Sequence, residues 1–180
     1  MPQARQQLIA KLHKQMRNIP DFPRKGIQFK DITPLLHKSE TLRLTSQALL
    51  HPFLGIDIDY VLGLESRGFI FGPRLAQDLN AGFIPIRKPG KLPAETVSTR
   101  FQLEYGEDTI EMHKDAVNSG DRVLIHDDLI ATGGSAAAAT ELVEGQGGKV
   151  VGYSFIVALE SLKGIKKLKP NIPTDVLMHL

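Results

Sequence analysis

Apolar runs that alternate with helical segments constrain the fold of this chain more than any other feature of its sequence. The stretches with the composition of strands, most of them typical of buried parallel strands, are residues 60–64, 83–86, 122–126, 150–159 and 176–180. Helical segments are predicted before and between them at residues 4–17, 41–50, 69–80 and 135–144. Because such alternation is typical of α/β proteins, the sequence predicts a mostly parallel twisted sheet flanked by helices on both faces.

Proline and glycine mark the places where this regular pattern stops. Residues 19–27 contain Pro20, Pro23 and Gly26, and we expect an irregular loop there. Pro85 falls inside a strand run. Since proline has no N–H to give to a neighbouring strand, that run is expected at an edge of the sheet, as is the last run at residues 176–180.

A different kind of strand follows residue 95. Apolar and polar residues alternate from Val97 to Tyr105, a turn is expected at residues 106–108, and the alternation resumes at Ile110 and Met112. Alternation with a period of two is typical of strands with one solvated face. The sequence therefore predicts a β-hairpin inserted into the α/β pattern.

Composition excludes several classes of protein. The 180 residues suit one domain, and the absence of cysteine excludes disulfides, thiolate metal sites and a thiol nucleophile. No apolar run is long enough to cross a bilayer, and the first residues lack the pattern of a secretory signal. A net charge of only +2 gives no reason to expect nucleic acid or a membrane surface as a partner. A cytoplasmic α/β enzyme or binding domain is the expectation.

The stretch that follows the run at residues 122–126 is the most informative one for function. Asp127 and Asp128 come directly after the apolar run, and the turn 132–135 reads Thr-Gly-Gly-Ser before a helix. Ligands of open α/β sheets bind at the carboxyl ends of the strands, where glycines and helix N–H groups favour a phosphate. The carboxylates suit sugar hydroxyls or a ligand that carries Mg²⁺, so the stretch indicates a sugar phosphate.

Two plainer interpretations apply to the same stretch. A glycine-capped turn with solvated acids is disfavoured, because two aspartates after an apolar strand are costly if they serve only solubility. His126 precedes them, and a histidine at the end of a strand is more often packed or hydrogen-bonded than catalytic.

The stretch 123–135 resembles the phosphoribosyl pyrophosphate signature of type I phosphoribosyltransferases. Further segments resemble the adenine phosphoribosyltransferases within that family: FP..GIQFKDI at 22–32, GLESRGFIFG at 63–72, IRKPGKLP at 86–93 and LEYG at 103–106. They follow the order and spacing of the family from about residue 20 to residue 170. The resemblance implies transfer of a 5-phosphoribosyl group from phosphoribosyl pyrophosphate to adenine, which gives AMP and pyrophosphate.

The same resemblance implies a role for each matching residue. The ribose 5-phosphate is expected on Asp127, Asp128, Ala131, Thr132, Gly133, Gly134 and Ser135. Pyrophosphate is expected on Ser66, Arg67, Arg87, Lys88 and Lys91, and adenine on Gln28, Phe29 and Lys30. Glu104 is expected to share a proton with adenine N7, with Tyr105 against the pyrophosphate.

Other expectations concern organisation and partners. One domain is expected, with residues 1–35 as a hood over the base and the hairpin region 92–113 as a lid. The family implies a homodimer, and Mg²⁺ that arrives with phosphoribosyl pyrophosphate and has few or no direct protein ligands. Gln28 and Lys30 depart from the small aliphatic residue and the arginine usual there, which puts the details of the base contacts in doubt.

Competing functions are distinguished by particular segments. A phosphoribosyltransferase for another purine base is disfavoured by the hood segment and Glu104. A regulator that senses phosphoribosyl pyrophosphate without turnover is disfavoured by Glu104 and the cationic loops. A receiver-type phosphoacceptor domain would place its acids elsewhere in the chain and needs no Thr-Gly-Gly-Ser turn.

Overall fold

The computed structural model describes residues 3–102 and 106–180. The helices are α1 (Gln3–His13), α2 (Ser39–Leu50), α3 (Gly68–Asp78) and α4 (Gly134–Gly145). The strands are β1 (Arg17–Pro20), β2 (Gln28–Asp31), β3 (Tyr60–Leu64), β4 (Gly82–Ile86), β5 (Thr96–Gln102), β6 (Glu107–His113), β7 (Arg122–Ile130), β8 (Lys149–Ala158) and β9 (Thr174–His179).

The main sheet has five strands in the order β4-β3-β7-β8-β9, and every neighbouring pair is parallel. This arrangement confirms the predicted α/β fold with a parallel sheet. Strands β4 and β9 form the two edges, as Pro85 and the C-terminal run predicted.

The strand order reverses between β3 and β7. From β3 the chain adds β4 on one side, whereas from β7 it adds β8 and then β9 on the other side. The reversal leaves a crevice at the carboxyl ends of β3 and β7, which is where open α/β sheets bind ligands. Strand β7 pairs with β3 only as far as His126, but it continues beside β8 to Ile130. The crevice therefore opens at Asp127.

An apolar cluster covers each face of the sheet. One cluster includes Leu12 of α1, Leu49 of α2 and Phe71 of α3. The other includes Leu142 of α4 and Met112 of the β5–β6 hairpin. Helices therefore flank both faces, as the sequence predicted, and the hairpin shares its face with α4.

The hairpin has the predicted alternation among its described residues. Strands β5 and β6 are antiparallel with Gln102 opposite Glu107, and Val97 and Phe101 pack against the core. Ser98 and Arg100 are exposed. Residues 103–105 lie outside the described ranges.

The structure corrects three boundaries. Helix α1 ends at His13 rather than near residue 17. The expected loop at 19–27 is shorter, because β1 and β2 flank it as an antiparallel ribbon in which Ile19 lies opposite Phe29. This pairing joins strands of only four residues each, of which β1 is mostly exposed, and so leaves little apolar pattern in the sequence.

The third correction concerns β7, which was expected to end at His126. It continues to Ile130, so Asp127 and Asp128 belong to the strand itself. Pairing with β8 supports the backbone there, and Asp127 lines the crevice. No helix within the described ranges is long and apolar enough to cross a membrane.

Candidate active site

Asp127 and Asp128 occupy successive positions of β7 and therefore have different surroundings. Asp127 lines a cavity at the carboxyl edge of the sheet, and its Oδ1 accepts a hydrogen bond of 2.9 Å from the Asp128 N–H. Asp128 is only 3% exposed, and its Oδ2 lies 2.9 Å from Nε of Arg67. Oδ2 forms no aligned hydrogen bond with any described residue, so the contact is an ion pair of imperfect geometry.

The two carboxyl groups resist ionisation in this position. Burial raises the pKa of Asp127 well above its ordinary value, and the adjacent charge of Asp128 raises it further. Burial also raises the pKa of Asp128, although the guanidinium of Arg67 opposes the rise. Carboxylates held in this way gain from any ligand that donates hydrogen bonds to them, and sugar hydroxyls are such donors.

The glycine turn after β7 begins helix α4. Gly133 is the N-cap with a left-handed φ of +76°, a conformation that costs glycine little. The first N–H groups of a helix have no partner within it, so those around Gly134 and Ser135 are available to an anion. Thr132 and Ser135 add hydroxyl groups to the same wall of the cavity.

One cavity of about 240 Å³ brings together the segments 63–72, 86–93 and 123–135 with the hairpin, whereas the segment 22–32 does not line it. Its lining comes from the ends of β3 and β7, the glycine turn, the loop after β4 and the hairpin: Leu64, Glu65, Lys88, Phe101, Asp108, Ile110, Asp127, Leu129, Ala131, Thr132, Gly133 and Ser135. Larger cavities occur elsewhere on the protein, but this one combines carboxylates, hydroxyls, a lysine and a helix N-terminus.

The loop between β3 and α3 carries Ser66 and Arg67. Ser66 is exposed, and the Glu65–Ser66 peptide bond is cis. Besides its contact with Asp128, Arg67 places its guanidinium carbon 4.8 Å from the ring centroid of Phe29, a cation–π distance. Arg67 therefore joins the end of β7 to the β1–β2 ribbon.

Arg87, at the end of β4, is engaged by an acid. Its Nε and Nη2 each lie 3.2 Å from an oxygen of Glu65, in a two-pronged pair. The backbone N–H of Lys88 donates a third hydrogen bond of 2.8 Å to Glu65. These bonds hold the pKa of Glu65 below its ordinary value, in contrast to the aspartates of β7.

The lysines of the following turn point more freely into solvent. Nζ of Lys88 lies 3.5 Å from Oδ2 of Asp108 on the hairpin. Lys91 is exposed, and its carbonyl oxygen accepts a hydrogen bond of 3.3 Å from Nη1 of Arg87. Both ammonium groups thus lie on the loop that borders the cavity.

The residues expected to bind adenine lie on β2. The Phe29 ring packs edge-on against Phe22 with centroids 5.0 Å apart. Gln28 is exposed and accepts a hydrogen bond of 2.8 Å from the side chain of Asn18, and Lys30 is partly exposed. Of these three residues, Phe29 has the direct contact to the rest of the site, through Arg67.

Comparisons with known proteins decide the family. The model of the phosphoribosyl transferase domain matches residues 35–176. An adenine phosphoribosyltransferase of Halothermothrix orenii is 53% identical, with 88% of this chain and 93% of the relative covered. One from Cyanothece sp. is 54% identical, with 91% and 96% covered. The chain belongs to the adenine phosphoribosyltransferase family. The predicted family and transferase class are thereby confirmed.

Solved structures of the family have the same fold. The adenine phosphoribosyltransferase of Rhodothermus marinus is 54% identical, with a TM-score of 0.93 over 97% of this chain and 99% of that one. The enzyme of Saccharomyces cerevisiae is 42% identical, with a TM-score of 0.88 over 96% and 99%. That yeast structure contains adenine and an imino-altritol bisphosphate.

Several residues of this phosphoribosyltransferase site were not singled out from the sequence. Glu65 engages Arg87 and Lys88, Asp108 faces Lys88, and Phe22 packs on Phe29. Glu65 could have been found from the sequence. It directly follows β3, just as Arg87 and Lys88 directly follow the parallel strand β4, so the acid and the cations lie at the same edge of the sheet. Glu104 and Tyr105 lie outside the described residues. Among the described residues, no group of three or more His, Asp or Glu side chains could hold a metal ion.

His126 has the packed environment that the sequence favoured. It is fully buried, and its Nδ1 lies 3.1 Å from the carbonyl oxygen of Ser154 and 3.2 Å from the Ser154 hydroxyl. Burial lowers its pKa to about 4, with the Ser154 carbonyl opposing the shift. His126 is therefore neutral at physiological pH.

Proposed function

We propose that this protein transfers the 5-phosphoribosyl group of phosphoribosyl pyrophosphate to adenine, giving AMP and pyrophosphate in purine salvage. In this reaction the bond from C1 of the ribose to pyrophosphate breaks, a bond from C1 to adenine N9 forms, and N9 loses its proton. The observation that carries the proposal is the single cavity lined by Asp127, the turn 131–135 and Lys88, at the switch point of a phosphoribosyltransferase fold.

The ribose 5-phosphate is assigned to β7 and the turn that follows it. The phosphate accepts hydrogen bonds from the N–H groups of residues 131–135 and from the hydroxyls of Thr132 and Ser135. Asp127 and Asp128 accept hydrogen bonds from the ribose hydroxyls. The raised pKa values of both aspartates support this assignment, because the hydroxyls supply donors that the buried carboxylates lack.

Pyrophosphate is assigned to the loops after β3 and β4. As the leaving group departs it gains negative charge, and fixed cations and N–H groups stabilise that charge. Ser66 and Lys91 supply them directly. Arg67, Lys88 and Arg87 must exchange or share their contacts with Asp128, Asp108 and Glu65, respectively. Mg²⁺ enters as part of the phosphoribosyl pyrophosphate substrate, bound mainly by substrate oxygens and water.

Adenine is assigned to the hood, residues 1–35. Phe29 supports the base, and backbone groups near Gln28 and Lys30 read its edge. The six-position amino group of adenine donates where hypoxanthine and guanine accept, so backbone acceptors discriminate between these bases. Because the readout uses the backbone, the unusual side chains at 28 and 30 are compatible with it.

The hairpin, as part of residues 92–113, is assigned the role of a lid. Water competes with adenine for the cation-like sugar carbon, and a closed lid excludes it. Glu104 stands near the hairpin tip in the sequence. In the proposal it is protonated on closure, shares its proton with adenine N7, and has Tyr105 beside it against the pyrophosphate.

The closest alternative is phosphoribosyl transfer to another purine base, and a regulator that binds the sugar phosphate without turnover is a second. The comparisons favour adenine over both, since the named relatives are adenine phosphoribosyltransferases. A homodimer and a cytoplasmic location complete the proposal. They are supported by the family and, for the location, by the absence of cysteine.

A nucleobase panel tests the function. Purified protein is incubated with phosphoribosyl pyrophosphate, Mg²⁺ and adenine, hypoxanthine, guanine or xanthine, and the nucleotide product is measured. The proposal predicts AMP from adenine and at least about a hundredfold lower kcat/KM with the other bases. Turnover of hypoxanthine or guanine at an equal rate would support the alternative base, and no turnover of any base would support the regulator.

Variants of Glu104 test its assigned role. Glu104→Gln retains an N–H donor for N7 and is expected to keep substantial activity, whereas Glu104→Leu loses the donor. A loss of about tenfold to a hundredfold in kcat for Leu relative to Gln is expected. Equal kcat for the wild type, Gln and Leu would remove Glu104 from the site.

A further inference from the structure

A segment outside the signature lies directly behind the phosphate-binding turn. Residues 160–168, which we call the supporting segment, follow β8 and form two 3₁₀ turns, Glu160–Leu162 and Gly164–Lys167. Gly164 begins the second turn, is buried, and packs against the chain between Ala131 and Gly133.

The contact between these two backbones leaves no room for a side chain. A Cβ atom built on Gly164 would overlap the carbonyl oxygen of Ala131 and lie 2.7 Å from the Gly133 nitrogen. A Cβ atom on Gly133 would in turn overlap the carbonyl oxygen of Gly164. The contacts of both added Cβ atoms would be closer than those of Cβ atoms in real proteins. The atoms in the way belong to the backbone and cannot rotate aside as a side chain could.

Close approach, and not backbone conformation, requires glycine at 164. The left-handed conformation in this turn belongs to the preceding residue, Lys163, with φ of +52°. Gly164 itself has no left-handed φ. An alanine at 164 would therefore act through the displacement of its neighbours in the turn 131–133.

The supporting segment is anchored on both sides of Gly164. Before it, the Leu159 N–H donates 3.0 Å to the carbonyl of Ile130, and the Glu160 N–H donates 2.8 Å to the carbonyl of Leu180. After it, Leu168 is 7% exposed and belongs to the apolar cluster that contains Ala139 of α4. An added side chain at 164 would therefore push on the turn more readily than on the segment.

We propose that Gly164 is a positioning residue that fixes the depth of the turn 131–134, and thereby the affinity for the 5-phosphate of the ribose. The inference rests on the proposed function, in which that turn holds the phosphate. The signature residues supply the N–H groups, and the supporting segment sets where those groups stand relative to the carboxylates of β7.

Gly164→Ala is the test, with Gly145→Ala as its matched control. Gly145 ends α4, has an ordinary φ, and a Cβ atom there would meet nothing within 4 Å. We expect Gly164→Ala to raise KM for phosphoribosyl pyrophosphate and the Kd for ribose 5-phosphate, measured by calorimetry, at least about tenfold. KM for adenine at saturating phosphoribosyl pyrophosphate should change less than about twofold. Gly145→Ala should keep the wild-type KM and Kd values, with a melting temperature equal to or above that of the wild type.

A merely structural role gives a different result. It would lower the melting temperature or the active fraction of Gly164→Ala while both phosphate affinities stayed at the wild-type value, and that result would overturn the inference. If Gly164→Ala does not fold, Leu168→Ala decides. Loosening the anchor should raise the Kd for ribose 5-phosphate, and an unchanged Kd would contradict the role of the segment.

Failure of the proposed function would be seen separately. A wild-type protein that makes no AMP defeats the function, whereas equal ribose 5-phosphate affinity in the wild type and a folded Gly164→Ala defeats the inference alone.

Discussion

Carboxylates at the carboxyl ends of two neighbouring strands, β7 and β3, have pKa values shifted in opposite directions. In β7, Asp127 and Asp128 are adjacent, burial raises both pKa values, and Arg67 faces one of them. In the loop after β3, Glu65 receives two side-chain hydrogen bonds from Arg87 and one from the Lys88 N–H, which lower its pKa. The ionised form is disfavoured at the first point and favoured at the second.

The difference in pKa indicates that Glu65 serves the stability of the fold, whereas the aspartates of β7 serve the ligand. The charge of Glu65 is compensated within the chain, so it contributes to stability and orders the end of β4. The charges in β7 are poorly compensated and reduce stability until a ligand supplies donors. Uncompensated carboxylates at a sheet edge therefore indicate the position of the substrate more directly than the compensated one does.

The largest expected effect is that of Asp127→Asn. Loss of a charged acceptor for the ribose hydroxyls should raise KM for phosphoribosyl pyrophosphate about tenfold to a hundredfold, as hydrogen bonds to charged groups contribute about 1.5–3 kcal/mol. The free energy of unfolding at pH 7 should nevertheless rise, because the raised pKa of Asp127 costs the wild type stability that an amide does not lose. Steady-state kinetics and denaturant unfolding measure both, and the exposed Asp115→Asn serves as control.

The effect of Asp127→Asn on stability should depend on pH. The pKa of Asp127 is higher in the folded than in the unfolded chain, so the wild type loses stability relative to Asp127→Asn as pH rises from about 4 through the raised pKa. Below about pH 4 the difference in stability between the two proteins should stop changing with pH. A wild type that is more stable than Asp127→Asn at pH 7 would contradict the contrast between the two points.

Arg67→Met should have the next largest effect. It leaves Asp128 buried without its cation and removes the contact with Phe29, so we expect a loss of about 1–3 kcal/mol in the free energy of unfolding. Arg74→Met is a control in the same helix region, because its pair with Asp78 is exposed and its loss should leave the free energy of unfolding close to the wild-type value. The double variant Arg67→Met/Asp128→Asn should recover part of the loss, and no recovery would mean that the pair is not coupled.

His126 adds a titration of the opposite sign to the buried region. Its folded pKa of about 4 lies below the unfolded value of about 6.5, so its contribution to stability is complete above pH 6.5 and is lost as pH falls toward 4. At pH 5 the loss in the free energy of unfolding, relative to its value at neutral pH, should be about 2 kcal/mol. His126→Val is expected to remove that slope from the unfolding curves, and an unchanged slope would place the titration elsewhere.

Glu65→Gln should have the smallest effect. The lowered pKa of Glu65 gives stability that is present above its ordinary pKa and is lost as pH falls through the lowered value. Removing the charge should cost about 1 kcal/mol or less at pH 7, because the pair with Arg87 is partly exposed. Freed from Glu65, Arg87 should bind pyrophosphate more tightly in product-inhibition assays, and weaker binding would show that Glu65 positions Arg87 for the ligand.

Sequence reasoning worked best where one stretch carries its own signal. The apolar runs of β3, β7 and β8 predicted the parallel sheet, and Pro85 predicted an edge strand. Alternation from residue 97 to 105, resumed at 110 and 112, predicted the hairpin, which the described strands β5 and β6 confirm. The order of the signature segments predicted the family. Each of these follows from periodicity or motif over a few consecutive residues.

Features that depend on distant partners were missed. The β1–β2 ribbon depends on pairing across a loop, and β7 extends to Ile130 only because β8 continues beside it. The sequence named Arg67, Arg87 and Asp128, but it indicated neither the pairing of Arg67 with Asp128 nor the role of Glu65 as the partner of Arg87. Gly164 lies about thirty residues beyond the turn that it contacts, so no local pattern could connect the two.

A crystal structure of the protein with AMP and pyrophosphate tests the central claim most directly. The account predicts the 5-phosphate within hydrogen-bond distance of the N–H groups of residues 131–135, and the ribose hydroxyls within the same distance of Asp127 and Asp128. A nucleotide phosphate bound anywhere else, with those N–H groups facing solvent, would contradict it.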